Sequence, residues 1–386
     1  MALEDKRVPV TLLTGFLGAG KTTLLNHLIR DPQAGRIAVI MNEFGDVGLD
    51  HDLIEEATEE TIVLQSGCLC CAILGDLAET FGVLLAKRVS GLVDFDRVVI
   101  ETSGIADPGP IVHTMMTDRQ IAQAFRLDGV VTLADAATGM NTLDQQFEAV
   151  HQVAIADLLI LSKTDLVDAF DLTRFEKRLS GLNSSARRVH AEHGKVPVGT
   201  LFGLIAMHKD VTPSDVDSWL GMSANMMEEA AKPDPFAGLS GFGSKPAAPA
   251  TFNPSMPAAQ HGHDHNICSA SIEVTDPIPA EVFDTWLDTL IKLRGPDILR
   301  MKGILHVEGL QYPFVFHGVQ HIFDAPVPLK TWSGEDTTSR VVVIARNIEE
   351  ADLSASLKVL LMRPEDGAMS DHLPGGMMAD TTKSPL

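Results

Sequence analysis

No apolar run in this 386-residue chain approaches the ~20 residues that a membrane-spanning helix requires. The first residues also lack the long apolar core of a secretory signal. Cysteine is scarce: there are four, and three of them fall at Cys68, Cys70 and Cys71. Adjacent and next-but-one cysteines do not make a disulfide framework, so the expectation is a cytoplasmic chain with reduced thiols. Basic residues are outnumbered, 30 against 52 acidic, for a formal net charge of −22. Such a surface repels nucleic acid and anionic membrane, and neither is expected as a partner. With 45% hydrophobic residues the chain is not a disordered one, and its length allows two or three domains with a sizeable core.

The most specific local pattern is Gly15-Phe16-Leu17-Gly18-Ala19-Gly20-Lys21-Thr22-Thr23, which fits the phosphate-binding loop G-x-x-x-x-G-K-[ST]. An apolar, β-branched run precedes it and a helical pattern follows, which is the context that the motif needs. Its glycines let backbone N–H groups turn inward onto an anion, and the helix N-terminus adds partial positive charge. In this setting Lys21 reaches the β- and γ-phosphates and the Thr22 hydroxyl ligates Mg²⁺.

Strand-like runs over 8–14, 36–41, 61–64, 96–101, 128–134 and 157–161 alternate with helical patterns over 75–90, 109–126 and 141–155. This alternation predicts an α/β P-loop fold, a mostly parallel sheet covered by helices on both faces. Ligands on such sheets sit at the carboxyl ends of the strands, so the strand exits deserve the closest reading. The run 36–41 exits into Asn42-Glu43-Phe44-Gly45-Asp46, two carboxylates in a glycine-bearing loop. The run 61–64 leads to Cys68, Cys70 and Cys71, thiols suited to Zn²⁺ or Cu(I) and, less selectively, to Co²⁺ or Fe²⁺. Three sulfurs leave a tetrahedral position for Glu43, Asp46, a distant histidine or water. The run 96–101 ends in Glu101-Thr102-Ser103-Gly104; the acid can bind Mg²⁺ or orient water, and the Gly104 amide can meet a γ-phosphate. The run 157–161 exits into Ser162-Lys163-Thr164-Asp165. The Asp165 carboxylate can accept from the ring N–H and exocyclic amine of guanine, a pattern that adenine lacks, while the Lys163 stem packs over the base.

These motifs resemble, in content and order, the CobW-like group of metal-handling GTPases, a SIMIBI-class P-loop family that includes zinc metallochaperones. The resemblance rests on the P-loop, Asn42-Glu43-Phe44-Gly45, Gly67-Cys68-Leu69-Cys70-Cys71, Glu101-Thr102-Ser103-Gly104-Ile105-Ala106-Asp107-Pro108 and Ser162-Lys163-Thr164-Asp165. Two positions depart from the family pattern: Ser162 replaces asparagine, and Met41 stands where some relatives carry a metal-ligating acid. The resemblance implies a slow GTPase with GTP and Mg²⁺ held by Gly15, Gly18, Ala19, Gly20, Lys21, Thr22, Thr23, Glu101, Gly104, Ser162, Lys163 and Asp165. It implies a transition-metal site at Cys68, Cys70 and Cys71 with Glu43 and Asp46, and catalytic roles for Lys21, Glu43 and Glu101. Zinc delivery to a client metalloprotein is the leading expectation. Cobalt or iron delivery, for cobalamin synthesis or nitrile hydratase, is a family alternative; outside that class stand a metal-sensing regulatory GTPase that delivers nothing and a P-loop kinase with a structural cysteine cluster, which Asp165 disfavours. The oligomeric expectation is a monomer or a metal- or nucleotide-dependent homodimer.

The domain expectation is a GTPase domain over 1–221, a linker over 222–266, a small domain over 267–362 and a disordered tail over 363–386. The linker is rich in Pro, Ala, Gly and Ser and ends in His261-Gly262-His263-Asp264-His265; His261, His263 and His265 can capture a divalent metal weakly. The small domain should hold strands near 269–274, 298–307, 312–317 and 340–345 and helices near 279–294 and 349–362, giving an antiparallel sheet with helices on one side. Its segment Arg300-Met301-Lys302-Gly303 also resembles the CobW-like C-terminal domain.

Overall fold

Runs of Val, Ile and Leu too continuous for a half-exposed sheet form strands that are buried on both faces. The computed structural model describes residues 6–42, 61–66, 75–205, 216, 219–220, 267–320, 322–323, 326–330, 332 and 336–363. Strands β1 (Val8–Gly15), β2 (Ile37–Asn42), β3 (Thr61–Ser66), β4 (Arg97–Glu101), β5 (Phe125–Asp135), β6 (Leu158–Ser162) and β7 (Arg187–His190) make a seven-stranded sheet in the order β3-β2-β4-β1-β5-β6-β7. Every pairing in it is parallel. Around it lie α1 (Lys21–Arg30), α2 (Gly75–Val89), α3 (Gly109–Thr117), α4 (Arg119–Ala124), α5 (Gly139–Gln145), α6 (Phe147–Ile155), α7 (Ala169–Leu182) and the short α8 (Val198–Leu201).

Alternation along the strands assigns the layers. Val10, Leu12, Val98 and Ile100 point to one face and meet Leu77 and Phe81 of α2, Ile111 and Met115 of α3 and Ile121 of α4. Leu13 and Val99 point to the other and meet Leu24, Leu25 and Leu28 of α1. At the β6 end, Leu159 and Leu161 pack against Leu143 of α5, Val150 and Val153 of α6, and Phe175 and Leu179 of α7.

Two helices expected from periodicity are each broken in two. The pattern over 109–126 breaks at Asp118, whose carboxylate accepts from the Gln120 and Ile121 amides and so starts α4. It ends early because Phe125 begins β5, packing its ring 4.6 Å from that of Phe81. The pattern over 141–155 breaks at Gln146, whose extended backbone separates α5 from α6. Strand β7, with Val189 alone among three polar residues, carries too little apolar signal for sequence to expose it; it forms the sheet edge by pairing with β6.

The second sheet is antiparallel and holds β8 (Ile267–Val274), β9 (Ile298–Leu305), β10 (Phe314–Val319), β11 (Ile322–Phe323), β12 (Val327–Pro328) and β13 (Ser339–Arg346). Its order is β11-β10-β9-β13-β8, with β12 on β10. Helices α9 (Ala280–Arg294) and α10 (Glu350–Leu357) cover one face, where Phe283, Trp286, Leu290, Leu353 and Leu357 meet Met301, Phe316, Val341 and Val343. The opposite face holds Ile304, Val315 and Val342, which pack against Val216, Trp219 and Leu220. These last three fall within the 1–221 segment expected to belong to the first domain, yet they lie on the second sheet. Among the described residues no helix is long and apolar enough to cross a membrane.

The two sheets meet through a buried charge cluster. Asp157, at the start of β6, accepts from Arg300 Nη2 at 2.7 Å and lies 2.9 Å from Lys302 Nζ. All three side chains are at most 1% exposed. Burial alone would raise the Asp157 pKa, but Arg300, Lys302 and the Val130 amide outweigh it and hold the carboxyl well below its usual range. Removing one partner of a buried ion pair leaves uncompensated charge and costs about 3–5 kcal/mol. Asp157→Ala should lose that much in urea unfolding at neutral pH. The folded carboxyl titrates below the unfolded one, so the Asp157 contribution is present above about pH 4 and is lost on acidification. The gap between wild type and variant should therefore narrow toward about pH 3.

Candidate nucleotide and metal site

The phosphate loop is built where β1 runs into α1. Gly15 has φ of 140°, and a Cβ there would lie 2.5 Å from the Leu133 carbonyl oxygen, so no other residue fits without moving β5. Gly18 and Gly20 take left-handed backbone, and Gly20 is the N-cap of α1 without a side-chain cap. The first-turn amides are thereby left to an anion. Ala19 N–H donates to the Phe16 carbonyl and closes the turn. Lys21 is buried and its ammonium donates to the carbonyls of Gly15 at 2.8 Å and Phe16 at 3.3 Å, which holds the cation over the loop.

Glu101 ends β4 beside this loop, because β4 is the neighbour of β1 and Glu101 is in register with Leu13. The Thr22 hydroxyl donates to Glu101 Oε1 at 2.9 Å, and Glu101 is 3% exposed. A hydroxyl and a carboxylate at a P-loop are the donor set that Mg²⁺ takes in such proteins, so the residues present fit that ion. Beyond Glu101, Thr102 N–H donates to the Leu13 carbonyl, and its hydroxyl donates to that of Thr14 at 2.7 Å. Gly104 then lies on the phosphate loop, since a Cβ on it would be 2.6 Å from the Leu17 nitrogen.

The exit of β6 is tied to the same loop. The Ser162 hydroxyl donates to the Ala19 carbonyl at 2.7 Å in a buried bond. Serine at this position therefore still anchors the segment that carries Lys163 and Asp165. Lys163 adopts left-handed backbone and its ammonium donates to Asp135 Oδ2 at 2.7 Å, while Asp165 is exposed in the following turn. Sequence reading missed Asp135, whose other oxygen accepts from the Ala137 and Thr138 amides. It is the last residue of β5, so the strand-exit rule would have found it had the strand been extended by one residue. The loop after β7 was also missed. There Gly194 has φ of +76° and a Cβ would lie 2.8 Å from Thr23 Cγ2, so this loop lies against the first turn of α1.

The residues expected to bind a transition metal stand differently. Glu43, Asp46, Cys68, Cys70 and Cys71 lie outside the described residues, as do His261, His263 and His265. What the structure describes is where their segments leave the sheet. Strand β2 ends at Asn42 and β3 at Ser66, paired side by side, and both ends face the same edge as the phosphate loop because the sheet is parallel. Three strand spacings separate β3 from β1, about 14 Å. Met41 pairs with Glu101 in the backbone and its side chain sits in the core with Leu13, Val39 and Val99.

Comparison with known proteins gives the family. Residues 9–190 match the CobW/HypB/UreG nucleotide-binding domain, and residues 267–361 match the cobalamin synthesis protein cobW C-terminal domain. The chain is 31% identical to the zinc chaperone YjiA of Escherichia coli over 90% of its length and 97% of the relative's. The chain belongs to the CobW family. It is also 30% identical to the zinc chaperone CobW of Pseudomonas aeruginosa, over 92% of each chain. A zinc-regulated GTPase metalloprotein activator 1 of Schizosaccharomyces pombe is 37% identical over 49% of this chain and 47% of that protein. Among solved structures, Zn(II)-bound YjiA GTPase from E. coli superimposes with a TM-score of 0.65 at 27% identity, covering 92% of this chain and 99% of that one.

Base selection by Asp165 has a direct check. The wild-type protein should turn over GTP in preference to ATP, and Asp165→Ala should remove the preference while leaving ATP turnover nearly unchanged. Loss of a paired charged acceptor costs roughly 1.5–3 kcal/mol, or about ten- to a hundredfold in the GTP-to-ATP ratio of kcat/KM.

Proposed function

We propose that the protein is a GTP-hydrolysing metallochaperone that holds zinc at Cys68, Cys70 and Cys71 and releases it to a client protein under control of the nucleotide. The observation that carries this reading is the strand order. It ends β2, β3 and β4, at Asn42, Ser66 and Glu101, on the sheet edge that carries the phosphate loop, and Glu43 and the cysteines follow β2 and β3 in sequence. The names of the relatives, zinc chaperones and a zinc-regulated GTPase metalloprotein activator, favour zinc over cobalt or iron as cargo.

In this reading the first-turn amides of α1 and Lys21 bind the β- and γ-phosphates of GTP, and Thr22 and Glu101 hold Mg²⁺. The ion, when bound, supplies charge neutralisation for phosphoryl transfer. The Gly104 backbone, seated on the loop, meets the terminal phosphate. Asp165 selects guanine, Lys163 covers it and Asp135 fixes Lys163. Glu43 and Glu101 are the candidates to orient the attacking water. GTP orders the segment bearing Glu43 and Asp46 against the cysteines and completes the zinc site; hydrolysis releases it. This is the order–disorder logic of nucleotide switches. Thiolate ligands must be deprotonated, so zinc affinity falls on acidification.

A variant with Cys68→Ala, Cys70→Ala and Cys71→Ala together should lose tight zinc binding, read by competition with a chromophoric chelator, and keep its GTP affinity. Undiminished zinc binding by that variant would move the site to His261, His263 and His265 and sink the cysteine assignment.

A further inference from the structure

The loop from Glu101 to Asp107 must take one shape for Gly104 to lie on the phosphate loop. Within the loop itself, Ala106 N–H donates to the Ser103 carbonyl. Much of its remaining support comes from α6. Gln152 is 0% exposed, and its Nε2 donates to the carbonyls of both Gly104, at 3.1 Å, and Ala106, at 3.0 Å. Two carbonyls can be satisfied only by a donor, so the chemistry fixes which end of the amide faces the loop. The backbone beneath Gln152 is held in turn, because its main-chain carbonyl accepts from the Thr132 hydroxyl of β5 at 2.8 Å.

The residue before it makes a second tether. His151 Nδ1 lies 3.7 Å from Asp107 Oδ2, and its Nε2 lies 3.4 Å from Arg346 Nη1. Arg346 is the last residue of β13 in the second sheet, where its Nη2 donates to the Pro296 carbonyl at 3.2 Å. On the same helix Ala154 packs against Leu299 and Ile344. One short helix thus carries the nucleotide-side loop on one flank and the second sheet on the other.

We propose that Gln152 is a positioning residue for recognition of the terminal phosphate, and that Arg346 extends the same support from the C-terminal domain, so that discrimination between nucleoside tri- and diphosphate is completed across the domain interface. The proposal rests on the reading of 101–107 as the loop that meets the γ-phosphate. A diphosphate leaves that loop without a ligand. Loss of the Gln152 bonds therefore loosens the triphosphate complex and spares the diphosphate complex, a selectivity that a purely structural role for Gln152 lacks.

The test uses the full-length protein with Mg²⁺ and measures Kd for GDP and for a non-hydrolysable GTP analogue, with kcat and KM for GTP. Gln152→Met keeps the volume and removes the donor. It should weaken the analogue about tenfold, the scale of one to two neutral hydrogen bonds, with GDP affinity within about twofold. Arg346→Ala, at the partly exposed end of the relay, should shift the same ratio in the same direction by a smaller factor, and serves if Gln152→Met does not fold. Equal weakening of both nucleotides, or no change in their ratio in either variant, overturns the proposal. Failure of the wild-type protein to bind the analogue would overturn the GTPase reading as well, and so tells the two failures apart.

Discussion

A parallel sheet buried on both faces can present polar chemistry only where its strands end. That constraint organises this molecule. Strands β1, β2, β4 and β6 carry apolar side chains into the layers above and below, and polar residues follow at their carboxyl ends. Because all seven strands run the same way, the phosphate loop, Glu101, the Ser162–Asp165 turn and the segments leading to Glu43 and Cys68 emerge at one edge. Two short hydrogen bonds then lock the edge together: Thr22 to Glu101 joins the exits of β1 and β4, and Ser162 to Ala19 joins those of β1 and β6. A nucleotide contacting the loop therefore acts on elements whose relative positions are already fixed, which is what a switch needs if a small ligand is to move one segment and not the whole sheet.

The second sheet is attached through Asp157, at the amino end of β6, and along α6. Asp157 directly precedes β6 and Ser162 ends it, so one strand links the buried Arg300 and Lys302 to the Ser162–Asp165 turn. Burial holds Lys302 below its ordinary pKa and Arg300 adds to this, with Asp157 pulling the other way. Such a cluster is costly to assemble and more costly to break, so it fixes the position of the sheet more than it adds net stability. Along α6, Gln152 and His151 turn that fixed position into support for the 101–107 loop.

Local motifs were readable from sequence because their chemistry is contained in a few consecutive residues. The phosphate loop, Glu101 and Asp165 each announce themselves within a single strand exit. The alternation of strands and helices was readable for the same reason, since each element has its own periodicity. The parts that stayed hidden are those whose meaning depends on a distant partner. Arg300 and Lys302 stand in the middle of an apolar strand, and the carboxylate that explains them is 143 residues from Arg300 in sequence. Gln152 reads as a polar residue on a helix until the carbonyls of Gly104 and Ala106 are found beside it. Asp118 and Gln146 break helices whose apolar periodicity continues across the break, because a side-chain cap in one case and extended backbone in the other outweigh periodicity. Strand β7 has one apolar side chain and is specified by pairing with β6.

In the proposed function, nucleotide and metal are coupled through one sheet edge. The most direct test is the zinc affinity of the full-length protein with GDP and with a non-hydrolysable GTP analogue, each with Mg²⁺. Zinc should bind at least about tenfold more tightly with the triphosphate analogue, the coupling of roughly 1–3 kcal/mol typical of linked sites. By reciprocity zinc should tighten the analogue by the same factor. Equal zinc affinity in the two nucleotide states would rule out that coupling.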